Sequence, residues 1–365
     1  MTVQLDHPTQ PDAGSGSVPV RYPIHSYSPT MATTIVELAQ AALGVTSATP
    51  MDTGFWQWKH HANPFGDSYG LYAWDAAKAQ AVGARILMRW QFCDGAGTPY
   101  RAVRAVDTTT HPDYQRQGIF SRLTRQAIAE LREDGVDLIF NTPNQKSLPG
   151  YLKLGWQQVT RWPLYLKPLR PLRMAARRMA AAAVPSPDRF DAYFDDQILR
   201  WPSFIARYGD QVEEVLAAND QRRLPVGLRT PVNRLLGLAL WTTSAVQYGI
   251  FAETDSQGRL SGFAVLRPNV RYGWQEVVLT ELLLAEPVVR QGGRLLRNLG
   301  YHLRGDYLIA HFAEGTVAHT SLRRSGFWRV PRQGMIFTVY PLQPDREVLV
   351  QPSRWDLALG DLELF

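Results

Sequence analysis

The sequence contains a single cysteine, Cys93, among its 365 residues. One cysteine cannot form an internal disulfide, so a secreted scaffold held by disulfides is excluded and a reducing compartment is favoured. No apolar stretch reaches the roughly 20 residues that a membrane helix needs. The first residues, MTVQLDHPTQPDAG, carry acidic side chains and no apolar core, which is not typical of a secretory signal. These absences predict a soluble, cytoplasmic protein with no membrane partner.

Other absences narrow the ligand classes. The sequence has no zinc-finger spacing, no RNA-recognition signature and no long block of Lys and Arg, so we expect no nucleic-acid partner. Its histidines and its cysteine show no metal-ligand spacing, so we expect no metal site. The chain is nevertheless basic, with 39 Lys and Arg against 33 Asp and Glu and a net charge of +6. This balance favours anionic ligands, a phosphate-rich cofactor among them.

Length and internal repeats predict two copies of one α/β unit. At roughly 150 residues per domain the chain has room for about two domains. The segment GLYAW, which begins at Gly70, recurs 179 residues later as GIFAE, which begins at Gly249, and a glycine follows 13 positions after each start, at Gly83 and Gly262. Two further pairs keep nearly the same offset: Pro50 with Pro231, and Gly155 with Gly326. We therefore predict two tandem domains, each with a mixed, mostly antiparallel sheet flanked by helices.

The repeat and the composition together set the expected boundaries. A flexible N-terminal segment covers 1–30 and a first domain 31–168. A linker or helical joint covers 169–205. A second domain follows over 206–345, and a C-terminal tail over 346–365.

Within the first unit, hydrophobic periodicity predicts the order of helices and strands. The expected helices are 33–44, 119–131 and one that begins at 147. The expected strands are 70–74, 84–92, 100–108, 136–142 and one near 162–166. Gly95 and Gly97 lie in the turn between the second and third of these strands.

The segment AVDTTTHPDYQRQGIFSRLTRQAI (105–128) carries the chemistry. A strand ends near Thr110, a loop of 115–118 follows, and a helix starts at once at Ile119. Backbone N–H groups of such a loop and of a first helical turn form an anion site. Gly118 permits the required turn and Arg116 adds positive charge. From the residues alone, an ordinary strand-to-helix turn without a ligand is the alternative.

The residues Thr110-His111-Pro112-Asp113-Tyr114-Gln115-Arg116-Gln117-Gly118-Ile119 resemble the acetyl-CoA loop of the GNAT superfamily of N-acetyltransferases. A second motif follows at the expected distance: Asn144, Tyr151 seven residues later, and then Lys153-Leu154-Gly155-Trp156. The resemblance implies a GNAT-like fold and acetyl-CoA as co-substrate. It also implies direct transfer of the acetyl group to a primary amine in a ternary complex.

The resemblance also implies roles for individual residues. The backbone groups expected to bind the pantetheine arm and the acetyl carbonyl are those of Thr109, Thr110 and His111. The residues expected to hold the pyrophosphate are Gln115, Arg116, Gln117, Gly118 and Ile119. Asn144 is expected to contact the cofactor arm or to anchor its loop. Tyr151 is expected to donate a proton to the leaving thiolate.

The general base has several candidates. Asp107 lies in the strand that leads to the cofactor, but it faces away from the reacting side unless a β-bulge intervenes. His111 and the pair His60-His61 are the others. Each has a structural alternative, as a capping histidine or a buried aspartate bonded to backbone. In families that resemble this chain in pairing an active with a silent GNAT-like unit, the C-terminal carboxylate can serve as the base. Phe365 is therefore a further candidate.

Two departures from the GNAT pattern matter. Phe120 stands where the superfamily prefers a small residue, and cofactor binding survives only if its side chain points into the core. The second copy has Leu322 where Tyr151 is expected, and its turn keeps Gly292 and Gly293 but lacks the Pro-acidic-Tyr lead. We therefore expect a degenerate second domain that packs on the first and shapes the acceptor site.

Two rival functions stay open. The first is a non-catalytic module that binds CoA or acyl-CoA. The second is an aminoacyl transferase that resembles the Fem peptidoglycan-bridge enzymes and binds charged tRNA. The acceptor amine belongs to a small molecule or a peptide in the favoured interpretation, and the sequence does not specify it or the oligomeric state.

Overall fold

The structure is a computed structural model that describes residues 21–43, 52–180, 184–220, 227–231, 242 and 246–362. Pro50 of the repeat and Phe365 lie outside these residues. The helices are α1 (Ala32–Leu43), α2 (Thr53–His60), α3 (Ile119–Glu133), α4 (Leu148–Lys153), α5 (Pro171–Ala180), α6 (Phe190–Tyr193), α7 (Trp201–Tyr208), α8 (Gln211–Asp220), α9 (Val289–His302), α10 (Val317–Arg324) and α11 (Leu359–Leu362).

The strands are β1 (Ile24–Ser26), β2 (Tyr69–Asp75), β3 (Gln80–Cys93), β4 (Pro99–Thr110), β5 (Leu138–Asn141), β6 (Gln157–Pro168), β7 (Ile198–Leu199), β8 (Gly249–Thr254), β9 (Leu260–Arg271), β10 (Trp274–Leu284), β11 (Tyr307–Ala310) and β12 (Trp328–Pro341). Each helix and strand predicted for the first unit is present. β3 and β6 begin earlier than the sequence pattern indicates.

These strands form one continuous mixed sheet in the order β1-β2-β3-β4-β5-β12-β6-β11-β10-β9-β8-β7. The pairs β4–β5 and β10–β11 are parallel. The other named pairs are antiparallel, so the mixed, mostly antiparallel α/β architecture is confirmed. We call β1 to β5 with α1 to α4 the first half, and β7 to β11 with α6 to α10 the second half.

The last strand of each half lies in the other half. β12, which follows the second half in sequence, pairs with β5 of the first half. β6, which follows the first half, pairs with β11 of the second. β6 and β12 also pair with each other at the centre of the sheet. The halves are therefore joined by exchanged strands, and no chain position divides the sheet into two separate sheets.

The sequence repeat falls at equivalent places in the two halves. Gly70 in β2 and Gly249 in β8 each leave no room for a Cβ, which would lie 2.7 Å from Tyr27 in one case and 2.5 Å from Ile198 in the other. Gly155 and Gly326 both have positive φ, +98° and +82°, directly before β6 and β12. The repeated glycines thus serve close strand contacts and helix-to-strand turns.

A gap opens in the sheet beside β4. β4 and β5 are hydrogen-bonded over three pairs, the last of which is Arg104 with Phe140. β4 continues to Thr110 whereas β5 ends at Asn141, so the two strands separate. We call this gap the first fork. The equivalent second fork lies between β10 and β11, past Leu279 and Ala310.

Helix α3 covers the sheet beside the first fork. Its apolar side chains at helical spacing are buried, namely Ile119, Leu123, Ala127, Ile128 and Leu131. A Cβ on Gly83 of β3 would lie 2.5 Å from Ile119 Cγ2, so glycine lets the start of α3 sit directly on the strand. This contact fixes the turn before α3 relative to β3 and β4.

The expected boundaries differ from the structure at three places. In the segment 1–30, expected to be flexible, residues 24–26 form an edge strand paired with β2, since Tyr22 is buried beside them. In the expected joint 169–205, β7 already pairs with β8 of the second half. In the expected tail, Leu349, Trp355 and other apolar side chains are buried in the core. Apolar burial thus draws the described residues of these three segments into the fold.

The exchanged strands predict that the halves do not fold separately. A fragment of residues 1–183 would leave the β5 edge without β12, exposing backbone groups and the apolar surface around Phe140. We expect this fragment alone to aggregate or to lose cooperative thermal unfolding. Coexpression with residues 184–365 should restore a soluble complex, as judged by gel filtration and circular dichroism.

A matched control is the full chain cleaved at a protease site inserted at 181–183, which should stay assembled and unfold near the temperature of the intact protein. Cooperative unfolding of the isolated 1–183 fragment at that temperature would contradict the argument.

Candidate active site

The turn before α3 presents a set of free backbone donors. Arg116 and Gly118 both have positive φ, +61° and +75°. This alternation turns successive N–H groups towards the same side, as in anion-binding nests. The N–H groups of 116–120 donate to no acceptor in the described part of the chain. Together with the positive end of the α3 dipole, such donors can bind an anion such as a phosphate group.

Buried Tyr114 anchors this turn to the sheet. Its hydroxyl donates to Asp75 Oδ2 at 2.8 Å and accepts from Gln80 Nε2 at 3.1 Å. Arg116 is exposed at the edge of the nest. Arg122, one turn along α3, instead donates to Tyr22 O at 2.7 Å and supports β1. The anion site therefore depends on backbone donors, with Arg116 as the nearby cation.

Two of the expected cofactor contacts are already engaged within the protein. The N–H of Gln115 donates to Pro112 O at 3.3 Å. The N–H of His111 donates to Val82 O, and its carbonyl accepts from Tyr114 N. The His111 ring caps the short turn by accepting from Asp113 N at 3.3 Å. These bonds favour the structural alternative for His111, while the backbone of Thr109 and Thr110 lies along the open arm of the first fork.

A β-bulge in β4 lies opposite Arg85. Ala84 pairs with Thr109 and Ile86 with Val106, so two residues, Asp107 and Thr108, face one. Asp107 has φ +42°, an uncommon conformation for a residue with a Cβ. The bulge that the sequence interpretation required for Asp107 is therefore present. It sends the side chains of Asp107 and Thr108 to opposite faces of the sheet.

Tyr151 lies on α4 at the first fork and is 6% exposed. Its hydroxyl accepts a hydrogen bond of 2.9 Å from Arg85 Nη1. The same nitrogen donates to Thr108 Oγ1 at 2.6 Å. Because Arg85 occupies a lone pair of the Tyr151 hydroxyl, the hydroxyl hydrogen is left to be donated elsewhere. Arg85 thus connects Tyr151, the expected general acid, to Thr108 of the bulge.

Asn144 anchors the loop before α4. Its Oδ1 accepts from the N–H groups of Lys146 and Ser147, both at 2.9 Å. Ser147 Oγ is also 3.2 Å from this oxygen. Of the two roles implied for Asn144, the contacts favour anchoring the loop that carries Tyr151.

Phe120 points across the first fork towards α4. Its ring meets the Tyr151 ring edge-on, with centroids 5.7 Å apart, and its Cε1 lies 3.6 Å from the Cβ position of Gly150. The ring is half-buried and packs against the core cluster that contains Leu123 and Tyr151, and the small Gly150 leaves room for it between the two helices. Phe120 is partly exposed and bounds the space beside Tyr151.

On the opposite face, Asp107 joins a buried network on α2. Lys59 Nζ lies 2.6 Å and His60 Nε2 3.0 Å from Asp107 Oδ2. His60 Nδ1 is 2.9 Å from Ser68 Oγ. An ionised carboxylate only accepts, so His60 carries its proton on Nε2 and accepts from Ser68. His61 is separately bonded to the Tyr27 hydroxyl at 2.8 Å.

Charges around the network set its protonation. Burial raises the pKa of Asp107, but Lys59 and the His60 hydrogen bond outweigh it and hold that pKa well below its ordinary value. Burial lowers the pKa of His60, against the opposing effect of Asp107. Asp107 is thus ionised and His60 neutral at pH 7. A carboxylate held in this way is a weak proton acceptor, which favours the structural alternative for both residues.

Arg85, Lys59 and Ser68 were not singled out from the sequence. Arg85 interrupts the apolar run ARILMRW of β3, and a charge inside a strand that is otherwise buried was the available signal. Lys59 stands beside His60 in sequence, but its contact with Asp107 spans two elements. No local pattern announces that contact.

The described end of the chain meets the vertex of the first fork. Arg104 of β4 donates to the carbonyl oxygens of Asp361 and Leu362 on α11. It also donates to Thr142 Oγ1 at 3.2 Å, just past β5. A cation at the C-terminal end of a helix is favoured by the helix dipole. Phe365, proposed above as a base, lies three residues beyond this contact.

The second fork differs from the first in what fills it. Ala358 bridges Phe312 on the β11 side, and a Cβ on Gly360 would lie 3.2 Å from Thr280 O on the β10 side. The C-terminal segment therefore lines the second fork, beside a cavity of about 360 Å³ between Leu282, Phe312 and Ala358. Gly292 and Gly293 lie inside α9 rather than in a turn, and a Cβ on Gly292 would lie 2.4 Å from Ser321 Oγ. These glycines serve close packing of α9 on α10, and Leu322 is a core residue.

Among the described residues, no group of three His, Cys, Asp or Glu side chains is placed to hold a metal ion. None of the described helices is long and apolar enough to cross a membrane.

Residues 24–159 match a family model described as an acetyltransferase (GNAT) domain. This range contains the nest, the first fork and Tyr151. No curated protein matches the sequence.

Solved structures share the fold over most of the chain. A probable N-acyltransferase from Enterococcus faecalis V583 is 13% identical with a TM-score of 0.58, covering 89% of this chain and 74% of that one. A GCN5-related N-acetyltransferase from Anabaena variabilis is 10% identical with a TM-score of 0.59, covering 91% and 75%. One from Kribbella flavida is 14% identical with a TM-score of 0.57, covering 90% and 74%. At these identities the likeness is one of fold.

The buried network on α2 predicts a pH dependence of stability. Since His60 binds a proton more weakly folded than unfolded, acid favours the unfolded chain once the pH falls below about 6.5. Between pH 7.5 and 5.5 wild type should lose about 1 kcal/mol more unfolding free energy than His60→Gln, measured by urea denaturation. His25→Gln, which alters an exposed histidine, should keep the wild-type loss. Equal losses in wild type and His60→Gln would mean that His60 is protonated in the folded protein.

Proposed function

Because the chain carries a GNAT acetyltransferase domain, we propose that it transfers the acetyl (acyl) group of an acyl-CoA such as acetyl-CoA to a primary amine. Transfer is direct, within a ternary complex of protein, acyl donor and amine. The acceptor belongs to the class of small-molecule or peptide amines.

The observation that carries this proposal is the nest of free donors before α3, open beside the first fork that holds Tyr151. The N–H groups of Arg116, Gln117, Gly118 and Ile119 would hold the pyrophosphate. The fork leads from this nest to the Tyr151 hydroxyl. A linear ligand with a phosphate end and a reactive end fits this arrangement, since donors at one end are fixed relative to the acid at the other.

The acyl donor supplies a thioester whose carbonyl an amine attacks. Tyr151 is placed to give its hydroxyl hydrogen to the departing sulfur. Arg85 holds the Tyr151 oxygen from the other side and keeps that hydrogen directed into the fork. Asp107 is engaged by Lys59 and His60, so the amine would lose its proton to water rather than to Asp107.

A module that binds CoA without transfer is the second candidate, and Phe120 favours it. The ring bounds the space beside Tyr151, where an acyl group and an amine must meet. In this alternative the nest binds the phosphates and no acceptor reaches the thioester.

The first prediction concerns binding at the nest. Gly118→Trp forces a side chain onto a residue with φ +75° and covers the free donors. We expect acetyl-CoA to bind wild type and to bind this variant at least about tenfold more weakly by calorimetric titration, a loss of about 1.4 kcal/mol. Gly97→Trp is the matched control, because Gly97 has φ +82° and open space around it but lies in the β3–β4 turn. Absence of binding to wild type would end both candidate functions.

The second prediction separates catalysis from binding. Tyr151→Phe removes the hydroxyl and keeps the ring between Phe120 and Trp156. We expect kcat to fall about 100-fold, the usual range for a lost general acid, while the Kd for acetyl-CoA changes by less than about threefold. The rate is measured as thiol release with an acceptor found by an amine screen. An equal loss of binding and rate would make Tyr151 structural, and no release with any amine would favour the binding module.

A further inference from the structure

Arg85 is a buried cation on the cofactor face of the sheet. Its side chain is 0% exposed. It extends from β3 beneath α3 and α4, where Nη1 contacts Tyr151 and Thr108. No Asp or Glu in the described part of the chain forms an ion pair with it. A buried charge without a charged partner is costly in proteins generally.

Aromatic rings surround the guanidinium without satisfying it. Its Cζ lies 5.2 Å from the ring centroid of Tyr151, 5.6 Å from that of Phe120 and 5.7 Å from that of Trp156. Ring faces attract a cation, but they do not accept the N–H bonds in the guanidinium plane. The planar donors therefore still need an oxygen acceptor.

The donors left over form a particular shape. Nε and Nη2 of Arg85 are buried and have no hydrogen-bond partner. These two nitrogens are neighbours on one edge of the guanidinium, and their parallel N–H bonds match the two oxygens of a carboxylate. A single thioester oxygen would have to accept both N–H bonds with one atom, whereas a carboxylate offers one oxygen to each. The unpaired edge thus points to a carboxylate.

We propose that Arg85 binds a carboxylate at the far end of the acyl group, and that the preferred donor is the CoA thioester of a dicarboxylic acid. This inference rests on the proposed acyl-CoA site. Arg85 lies on the same face as Tyr151 and Phe120, whereas Asp107 and α2 lie on the other face. We take the acyl chain as the source of the carboxylate, because Arg85 donates to the hydroxyl of Tyr151, the group proposed to protonate the departing sulfur.

The transfer keeps that carboxylate intact. The amine nitrogen forms a bond to the thioester carbon, the carbon–sulfur bond breaks, and the sulfur leaves as thiol with the proton of Tyr151. The amine proton passes to water and restores the tyrosine through solvent. The product is an amide with a free terminal carboxylate. In a succinyl thioester two methylene groups separate this carboxylate from the thioester carbon, and the unpaired edge lies on the opposite side of the guanidinium from Nη1, which contacts Tyr151.

The test compares succinyl-CoA with butyryl-CoA, which has four acyl carbons and no charge, by calorimetric titration of the full chain. We expect wild type to bind succinyl-CoA at least about tenfold more tightly, or about 1.4 kcal/mol. Arg85→Met and Arg85→Lys should both lose this preference, because neither keeps the paired donors. Arg89→Met on the same strand, whose arginine is bonded to Asp134, should keep it. Thermal unfolding of each variant verifies folding.

Equal binding of the two thioesters by wild type would overturn the inference, as would a preference that survives in Arg85→Met. Equal weakening of both thioesters in Arg85→Met would assign Arg85 to the thioester or to Tyr151 instead. A second titration adds free succinate to the CoA-loaded protein. Binding that depends on Arg85 there would move the carboxylate to the acceptor and overturn the acyl assignment. If CoA binds and depends on Gly118 while no acyl preference is found, the proposed function stands and this inference alone fails.

Discussion

The extra residue in β4 is the constraint on which the candidate site depends. In a regular strand, alternate side chains face alternate sides of the sheet. At the bulge, Asp107 and Thr108 both oppose Arg85, and a positive φ at Asp107 accommodates the additional residue. Asp107 can then reach α2 while Thr108 meets Arg85 on the other face. Without the bulge the register past Ala84 would shift by one residue and every side chain of 108–110 would change face.

The exchanged strands explain why the first fork depends on the second half of the chain. β12 supplies the neighbour that β5 requires, and β5 forms one arm of the first fork. The chain then returns through the second fork at Ala358 and ends its described course against Arg104. The second half therefore supports the first fork mechanically from two directions. The same C-terminal segment therefore lines the second fork at Ala358 and contacts Arg104 at the vertex of the first fork.

Local features of the site could be predicted from the sequence, since short-range geometry produces them. The turn at Gly118, the start of α3 and the position of Tyr151 each depend on residues within one or two turns of the chain. Asn144 and His111 lie in loops, and their hydrogen bonds favour one of the two local roles considered for each residue. Phe120 lies half-buried against the core, as the helical spacing indicates, but that spacing does not reveal the room that Gly150 leaves for the ring on a neighbouring helix.

Long-range features could not be predicted in the same way. Antiparallel strands carry no signal that names their partner, so the sequence offered no reason to place β12 between β5 and β6. At the second fork, Ala358 and Gly360 of the C-terminal segment contact Phe312 and Thr280, which lie about 50 and 80 residues earlier in the chain. The contact of Lys59 with Asp107 likewise depends on a bulge that forms only when β3 and β4 are aligned. Each of these contacts is decided by which surfaces are buried together.

The bulge also separates charges that would otherwise neutralise one another. Asp107 and Arg85 occupy facing positions on adjacent strands, close enough in register to form an ion pair across the two strands. Asp107 instead turns to α2, where Lys59 supplies its counter-charge. The other face retains Arg85 with two unsatisfied donors beneath Phe120 and Tyr151. One face of the sheet therefore holds a complete ion pair, Asp107 with Lys59, whereas Arg85 on the other face has no carboxylate partner among the described residues. Its two unsatisfied donors are thus available to an anion from outside the chain.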